Sequence, residues 1–175
     1  MTKLILAAAV AAATLTAATA ASATETYFSV GAGQQMLDFG SVGAGEAKVT
    51  TATGRLGWKS DSWYGVEGEL YVGLGDDEVA PGIDVGINTS VALYGVAHIP
   101  AGEKLTLHAR LGFNRLLGKV KAGGGSYDTN DGDMSYGVGG TYRLSDRDGV
   151  RLDYTITDIS AVDASAWQVA YVRKF

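Results

Sequence analysis

The chain has 175 residues, with 14 Lys and Arg against 19 Asp and Glu, 25 Gly and no Cys. That length suits one domain. The acidic balance argues against a nucleic-acid partner, which needs a basic footprint, and the lack of Cys excludes a disulfide framework, so stability must come from strand pairing and packing. The glycines follow no collagen-like period. They fall with Ala inside strand-like runs, as close strand packing in a narrow barrel requires.

The first 23 residues read as a secretory leader. Lys3 gives the positive charge, Leu4 to Ala13 the apolar region, and Ala21-Ser22-Ala23 an A-x-A cleavage site, with the cut placed after Ala23. A retained membrane helix is the alternative, since Leu4 to Ala23 is uncharged and about long enough to span. No stop-transfer charge cluster follows it, however. Losing Lys3 leaves 13 basic against 19 acidic residues, a formal net charge of −6. The mature domain is then 24–175. It holds no apolar run of helix-spanning length, so a membrane location would require a barrel.

Beyond the leader, apolar and polar residues alternate with period two, the mark of strands. Eight are expected. The first runs from about Thr26 to Phe39, followed by a Gly-rich loop to Lys48. The second is Val49 to Lys59, with Ala52, Gly54, Leu56 and Trp58 on one face and Thr53, Arg55, Gly57 and Lys59 on the other. Ser60 to Ser62 is a tight turn. The third strand, Trp63 to Leu74, sets Tyr64, Val66, Leu70 and Val72 against Glu67, Glu69 and Tyr71. Gly75 to Gly86 reads as an acidic loop. The fourth strand, Ile87 to Ile99, has ambiguous faces, because Val91 and Leu93 compete with Ala92, Tyr94 and Val96.

After the turn at Pro100 to Glu103 comes the clearest strand, Lys104 to Gly118. Leu105, Leu107, Ala109, Leu111 and Phe113 alternate with Thr106, His108, Arg110, Gly112 and Asn114. Lys119 to Asp133 reads as a polar loop. The sixth strand is Met134 to Leu144, with Met134, Tyr136, Val138 and Tyr142 on the outer face. A turn at Asp146 to Asp148 leads to the seventh, Gly149 to Ser160, where Val150, Leu152, Tyr154 and Ile156 oppose Arg151, Asp153, Thr155 and Thr157. The eighth is about Ser165 to Phe175.

Long and short connections alternate, as in an up-and-down barrel with short periplasmic turns and longer outer loops. A soluble barrel of the lipocalin type, binding a small apolar ligand, alternates in the same way with its apolar face inward. Two features favour the membrane. The polar face is thinly charged and rich in Gly, Thr and Ser, which suits a narrow filled lumen better than a wetted surface. Aromatic residues gather near strand ends: Trp58, Trp63, Tyr64 and Tyr142 at one level, Tyr136 and Trp167 toward the other. That is the arrangement of two interfacial girdles.

The last stretch sharpens this reading. Trp167, Val169, Tyr171, Arg173 and Phe175 share one face, and the chain stops on an aromatic ring that lipid would bury. The stretch resembles the closing strand of bacterial outer-membrane β-barrel proteins. That resemblance implies that Tyr171 and Phe175 mark the chain for the barrel-assembly machinery. Arg173 departs from the family's apolar habit at its position, but near a strand end it can reach the interface. With the leader and the alternation, the mature chain resembles the small eight-stranded outer-membrane barrels of Gram-negative cells. This group holds opacity-type proteins and the transmembrane domain of OmpA-like proteins. The resemblance implies an all-β, eight-stranded antiparallel transmembrane barrel in the cell outer membrane. It also implies lipid and lipopolysaccharide as surroundings and a structural or surface-interaction role through the external loops. A monomer is expected.

With the apolar face turned to lipid, Arg55, Glu67, Glu69, His108, Arg110, Arg151 and Asp153 point inward. A three-residue turn at Ser60 to Ser62 would set Arg55 opposite Glu67, within ion-pair reach. A turn at Asp146 to Asp148 would set Thr141 opposite Asp153 and Arg143 opposite Arg151. We therefore expect an internal network centred on Arg55, Glu67, Glu69 and Arg110 that plugs the lumen, because buried charges are costly unless paired. Eight strands leave room for side chains but not for an open pore, so a narrow porin-type channel is the lesser alternative. No catalytic arrangement is recognisable: neither His98-Ile99-Pro100 nor His108-Ala109-Arg110 resembles the His-x-Ser arrangement of the small-barrel lipid A deacylases. No metal or cofactor is expected. Asp76-Asp77-Glu78 and Asp128 to Asp133 invite a calcium reading, but the second has only part of the required spacing and reads as a solvated loop.

Overall fold

The computed structural model describes residues 25–39, 46–61, 63–80, 83–122, 125–159 and 162–175. The expected leader, 1–23, lies outside the described residues. Among the described residues nine strand segments follow one another: β1 Glu25–Asp38, β2 Glu46–Lys59, β3 Tyr64–Gly73, β4 Asp76–Ala80, β5 Ile83–Pro100, β6 Leu105–Ala122, β7 Gly125–Arg143, β8 Asp148–Ile159 and β9 Val162–Lys174. Each pairs antiparallel with its neighbours. β1 also pairs with β9, and β3 with β5, so the sheet closes on itself. β4 extends the line of β3 past Leu74 and Gly75 and pairs with the start of β5. The result is an eight-stranded barrel whose wall closes on itself among the described residues, as a sheet that crosses a bilayer must.

The alternation read from the sequence sets the two faces. Outside, Val66, Leu93, Leu107, Leu111, Phe113, Val138, Leu152, Tyr154 and Val169 are all exposed. Inside, Arg55, Glu67, Glu69, His108, Arg110, Arg151 and Asp153 are buried. An apolar exterior over a charged interior inverts the soluble pattern and is what a bilayer solvent selects. In the ambiguous fourth strand the lumen takes Ala92, Tyr94 and Val96, while Val91 and Leu93 face out. The confusion has a physical source. A bulge lies between Ile87 and Thr89, and the extra residue reverses the alternation, so Ile87 is buried on one side of it and Ser90 on the other.

The connections differ from expectation at the outer end. The acidic loop expected over 75–86 is a hairpin of β4 and β5. The polar loop expected over 119–133 is an extended hairpin in which Ala122 pairs with Gly125. β9 begins at Val162 rather than near Ser165. Once two strands are aligned in the wall, their ladder can continue beyond the membrane without a new loop-closure cost, and it satisfies backbone groups whatever the side chains.

The short turns also sit one residue from their expected places, and each slip moves the register by two. Ser60 N–H donates to the Tyr64 carbonyl at 3.0 Å, so Lys59 pairs with Gly65 and Arg55 with Glu69, not Glu67. At the other turn Leu144 N–H donates to the Asp148 carbonyl at 2.8 Å. Thr141 therefore pairs with Arg151 and Gly139 with Asp153. The Ser145 hydroxyl fixes this second turn by accepting from the amides of Arg147 at 3.3 Å and Asp148 at 3.0 Å, a Ser-anchored turn. At the third short turn Gly102 has φ of 127°, a conformation that favours Gly.

Candidate functional site

The lumen holds a compact charged cluster built from six strands. Arg55 comes from β2, Glu67 and Glu69 from β3, His108 and Arg110 from β6, Arg151 and Asp153 from β8. Tyr27 of β1 and Gln168 of β9 complete it. Arg55 Nε donates to Glu69 at 2.8 Å, Nη1 to Asp153 at 3.0 Å and Nη2 to the Gln168 side-chain carbonyl at 3.0 Å. Arg110 donates to Glu69 at 2.7 Å and to the Thr155 hydroxyl. Its guanidinium carbon also lies 4.5 Å from the Tyr94 ring centroid, a cation–π geometry. Arg151 Nε donates to Asp153 at 2.9 Å, and its two terminal nitrogens donate to Glu67, one of them at 3.1 Å. The Tyr27 hydroxyl donates to Glu67. His108 Nε2 lies 2.6 Å from Asp153.

Three guanidinium groups thus meet three carboxylates, all with side-chain exposures of 2% or less. Balanced and hydrogen-bonded, such a cluster can sit where an unpaired charge could not. Arginine suits the task because its planar fork engages two or three acceptors at once. All seven residues expected to point inward, Arg55, Glu67, Glu69, His108, Arg110, Arg151 and Asp153, meet here. Expectation had set Arg151 opposite Arg143; the shifted turn instead pairs Arg143 with Gly149, and Arg151 finds Glu67 and Asp153.

Glycine makes the reach possible. On four occasions two side chains bond across an intervening strand whose directly paired residue is Gly. Tyr27 reaches Glu67 across Gly57. His108 reaches Asp153 across Gly139, and Arg110 reaches Thr155 across Gly137. Tyr94 meets Ser135 across Gly112 at 3.1 Å. A Cβ on Gly57 would run into the Tyr27 ring, and one on Gly139 into His108 and Asp153. The sequence shows the inward face of each strand. It does not show which glycine lies between which two partners, since that needs the register of three strands together.

Above the charged cluster the lumen becomes uncharged. Asn114 donates to the Tyr71 hydroxyl at 2.6 Å and accepts from Ser90. Ser135 lies 3.0 Å from Thr157. Higher still, Leu37, Ala47, Val49, Tyr71, Ile87 and Ala164 pack as a buried apolar layer, with Phe39 against it.

Of the aromatic residues expected near the strand ends, Trp63, Tyr64, Tyr142, Tyr136 and Trp167 are exposed on the outer face, and Trp58 is half-buried. Tyr64 lies edge-on to both Trp58 and Trp63, with ring centroids 6.1 and 6.0 Å away. Tyr171 donates to Asp148. Phe175 packs on Phe28 at 5.8 Å and donates its N–H to the Thr26 carbonyl at 3.0 Å. Of the calcium candidates, Asp128 to Asp133 follow the backbone of β7, and the side chains of Asp128 to Asp131 lie outside the described residues. Among the described residues no group of three metal-ligating side chains converges.

A closed antiparallel barrel, oily outside and charged within, is a transmembrane β-barrel. The chain belongs to the outer membrane protein beta-barrel domain family, whose pattern matches residues 5–175, and its place is the outer membrane. Solved structures agree in fold. The attachment invasion locus protein Ail of Yersinia pestis superposes with a TM-score of 0.65 at 17% identity, covering 86% of this chain and 98% of that one. The N-terminal β-barrel domain of OprF from Pseudomonas aeruginosa gives 0.64 at 9% identity, covering 86% and 97%. Neisserial surface protein A gives 0.58 at 16% identity, again covering 86% and 97%. No curated protein sequence matches the chain.

Proposed function

We propose that this protein is a non-enzymatic outer-membrane barrel with a plugged lumen, acting as a structural element of the envelope and as a surface for contacts through its outer hairpins. One observation carries this reading: the buried charged cluster, the polar groups above it and the apolar layer beyond them occupy successive levels of the lumen, an arrangement that favours a plug over a pore. A soluble barrel binding an apolar ligand is disfavoured, because the apolar residues face outward and the interior is charged. Planar-bilayer recording of the purified mature protein is the test. No stepwise conductance is expected, and stable single-channel openings would favour the porin-type alternative.

In this reading Trp63, Tyr64 and Tyr142, with Trp58, sit at the periplasmic interface, and Tyr136 and Trp167 sit toward the outer one. Lipids brominated near the headgroup are expected to quench tryptophan fluorescence more strongly than lipids brominated at the chain ends. Stronger quenching at the chain ends would remove the girdle assignment. Tyr171 and Phe175 serve the assembly machinery, with lipopolysaccharide and phospholipid as the surroundings of a monomer. The contact surface is the outer end, where β4 to β7 rise as paired hairpins. Ail is named for attachment and invasion, and the same fold here supports a contact role without naming a partner.

A further inference from the structure

Below the charged cluster the barrel mouth at the short-turn end has a different character. A cleft of about 60 Å³ lies there between the ends of β6, β7, β8 and β9. Its cations are Lys104, Arg143, Arg147 and Lys174, and its carboxylates are Glu103 and Asp148. Several of these groups are already engaged. Asp148 accepts from Tyr171, from the Ser145 hydroxyl at 2.8 Å and from Arg173 at 3.3 Å. Lys174 pairs with Glu25 at 2.8 Å, and Arg143 is pinned to the Glu103 carbonyl. Among the described residues, Lys104 and Arg147 make no ion pair within 4.0 Å.

The floor of the cleft is polar and shaped. Thr106 and Thr141 are direct cross-strand partners there. Gly149 keeps the space clear, since a Cβ on it would come within 3.0 Å of the Tyr142 carbonyl and 3.2 Å of Thr141. The lining residues Lys104, Thr106, Thr141, Arg143, Val172 and Lys174 lie on the inward alternation of their strands. The cleft therefore opens into the barrel mouth and toward the periplasm rather than toward lipid tails.

We propose that this cleft is a binding site for a phosphate group, with Lys104 and Arg147 as its principal ligands and the two threonine hydroxyls beneath. Four cations against two carboxylates leave a surplus of two positive charges. That matches a phosphate dianion better than a single carboxylate, and Arg and Lys together are the usual phosphate donors. The phosphate arrives free from the periplasm, as the dianion that the surplus charge matches, or as the monoanionic diester of a phospholipid headgroup bent over the rim, whose two free oxygens can still accept from both Lys104 and Arg147.

The experiment uses the folded mature protein in phosphate-free detergent, followed by ³¹P NMR line broadening with inorganic phosphate in one arm and dihexanoyl phosphatidylglycerol in the other. Saturable broadening is expected in at least one arm, and which arm responds identifies the source. The double variant Lys104→Gln/Arg147→Gln is expected to weaken it by at least about tenfold, the loss of one or more charge-assisted hydrogen bonds. The charge-keeping exchange Lys104→Arg/Arg147→Lys should retain binding and shows that the turns still fold. Broadening absent from both arms overturns the proposal. So does equal binding by the Gln variant, or displacement by acetate as effective as by sulfate.

Discussion

Replacing Arg55 with Ala is expected to lower the free energy of unfolding by about 3–5 kcal/mol, the usual cost of breaking a buried ion pair from one side. Arg55 joins Glu69, Asp153 and Gln168, so its loss leaves three buried carboxylates to two guanidinium groups, with Glu69 held only by Arg110 and Asp153 by Arg151 and His108. Urea unfolding in lipid vesicles, followed by tryptophan fluorescence or by gel mobility before and after heating, measures the change. Arg173→Ala is the control. Arg173 pairs with Asp148 at 3.3 Å, but its side chain is 48% exposed, so its removal should leave the unfolding midpoint close to the parent's. If the two variants unfold together at the parent's urea concentration, the lumenal network contributes nothing to stability. The Arg55 variant also bears on the plug: conductance that rises with the loss of stability ties closure of the lumen to the same contacts.

Replacing Gly139 with Val is expected to destabilise as strongly, although it removes no charge. The new side chain would occupy the space through which His108 reaches Asp153 and would press on the Leu152 carbonyl. Asp153 would be pushed from its place between Arg55 and Arg151, and strain would add to the lost pairing. A cost of about 3 kcal/mol or more follows from combining overpacking with a disrupted buried network. Gly57→Val should behave alike, because its side chain would meet the Tyr27 ring. Gly68→Val is the contrast. It faces lipid, and a Cβ added there would meet nothing within 4 Å. Val is also a better strand former than Gly, so that variant should match or exceed the parent. Equal losses at Gly139 and Gly68 would mean that glycine matters here for the backbone and not for the reach of its neighbours.

The faces of the barrel were legible because they depend on one local quantity. Side chains alternate with period two, so Leu105 to Phe113 and Val150 to Ile156 declare their side without knowledge of any partner. The fourth strand failed this test where it carries a bulge, since one extra residue between Ile87 and Thr89 reverses the alternation. The outer hairpins were missed for another reason. Gly- and Asp-rich segments carry no strand signal, yet a ladder begun in the wall extends through them.

Register was not legible. Sliding a turn by one residue moves cross-strand pairs by two, which preserves every face and changes every partner. Arg55 faced the lumen whichever turn formed, but only the folded wall set it opposite Glu69 instead of Glu67.

The sequence by itself therefore determined the strand count of the barrel, its membrane-facing side and the inward set of charges, because alternation and turn spacing are properties of short stretches. The tertiary structure alone decided which charges meet, which glycines they meet across, and where the cationic cleft at the mouth forms. Those depend on the alignment of three or more strands distant in the chain, and barrel closure fixes all of those alignments together.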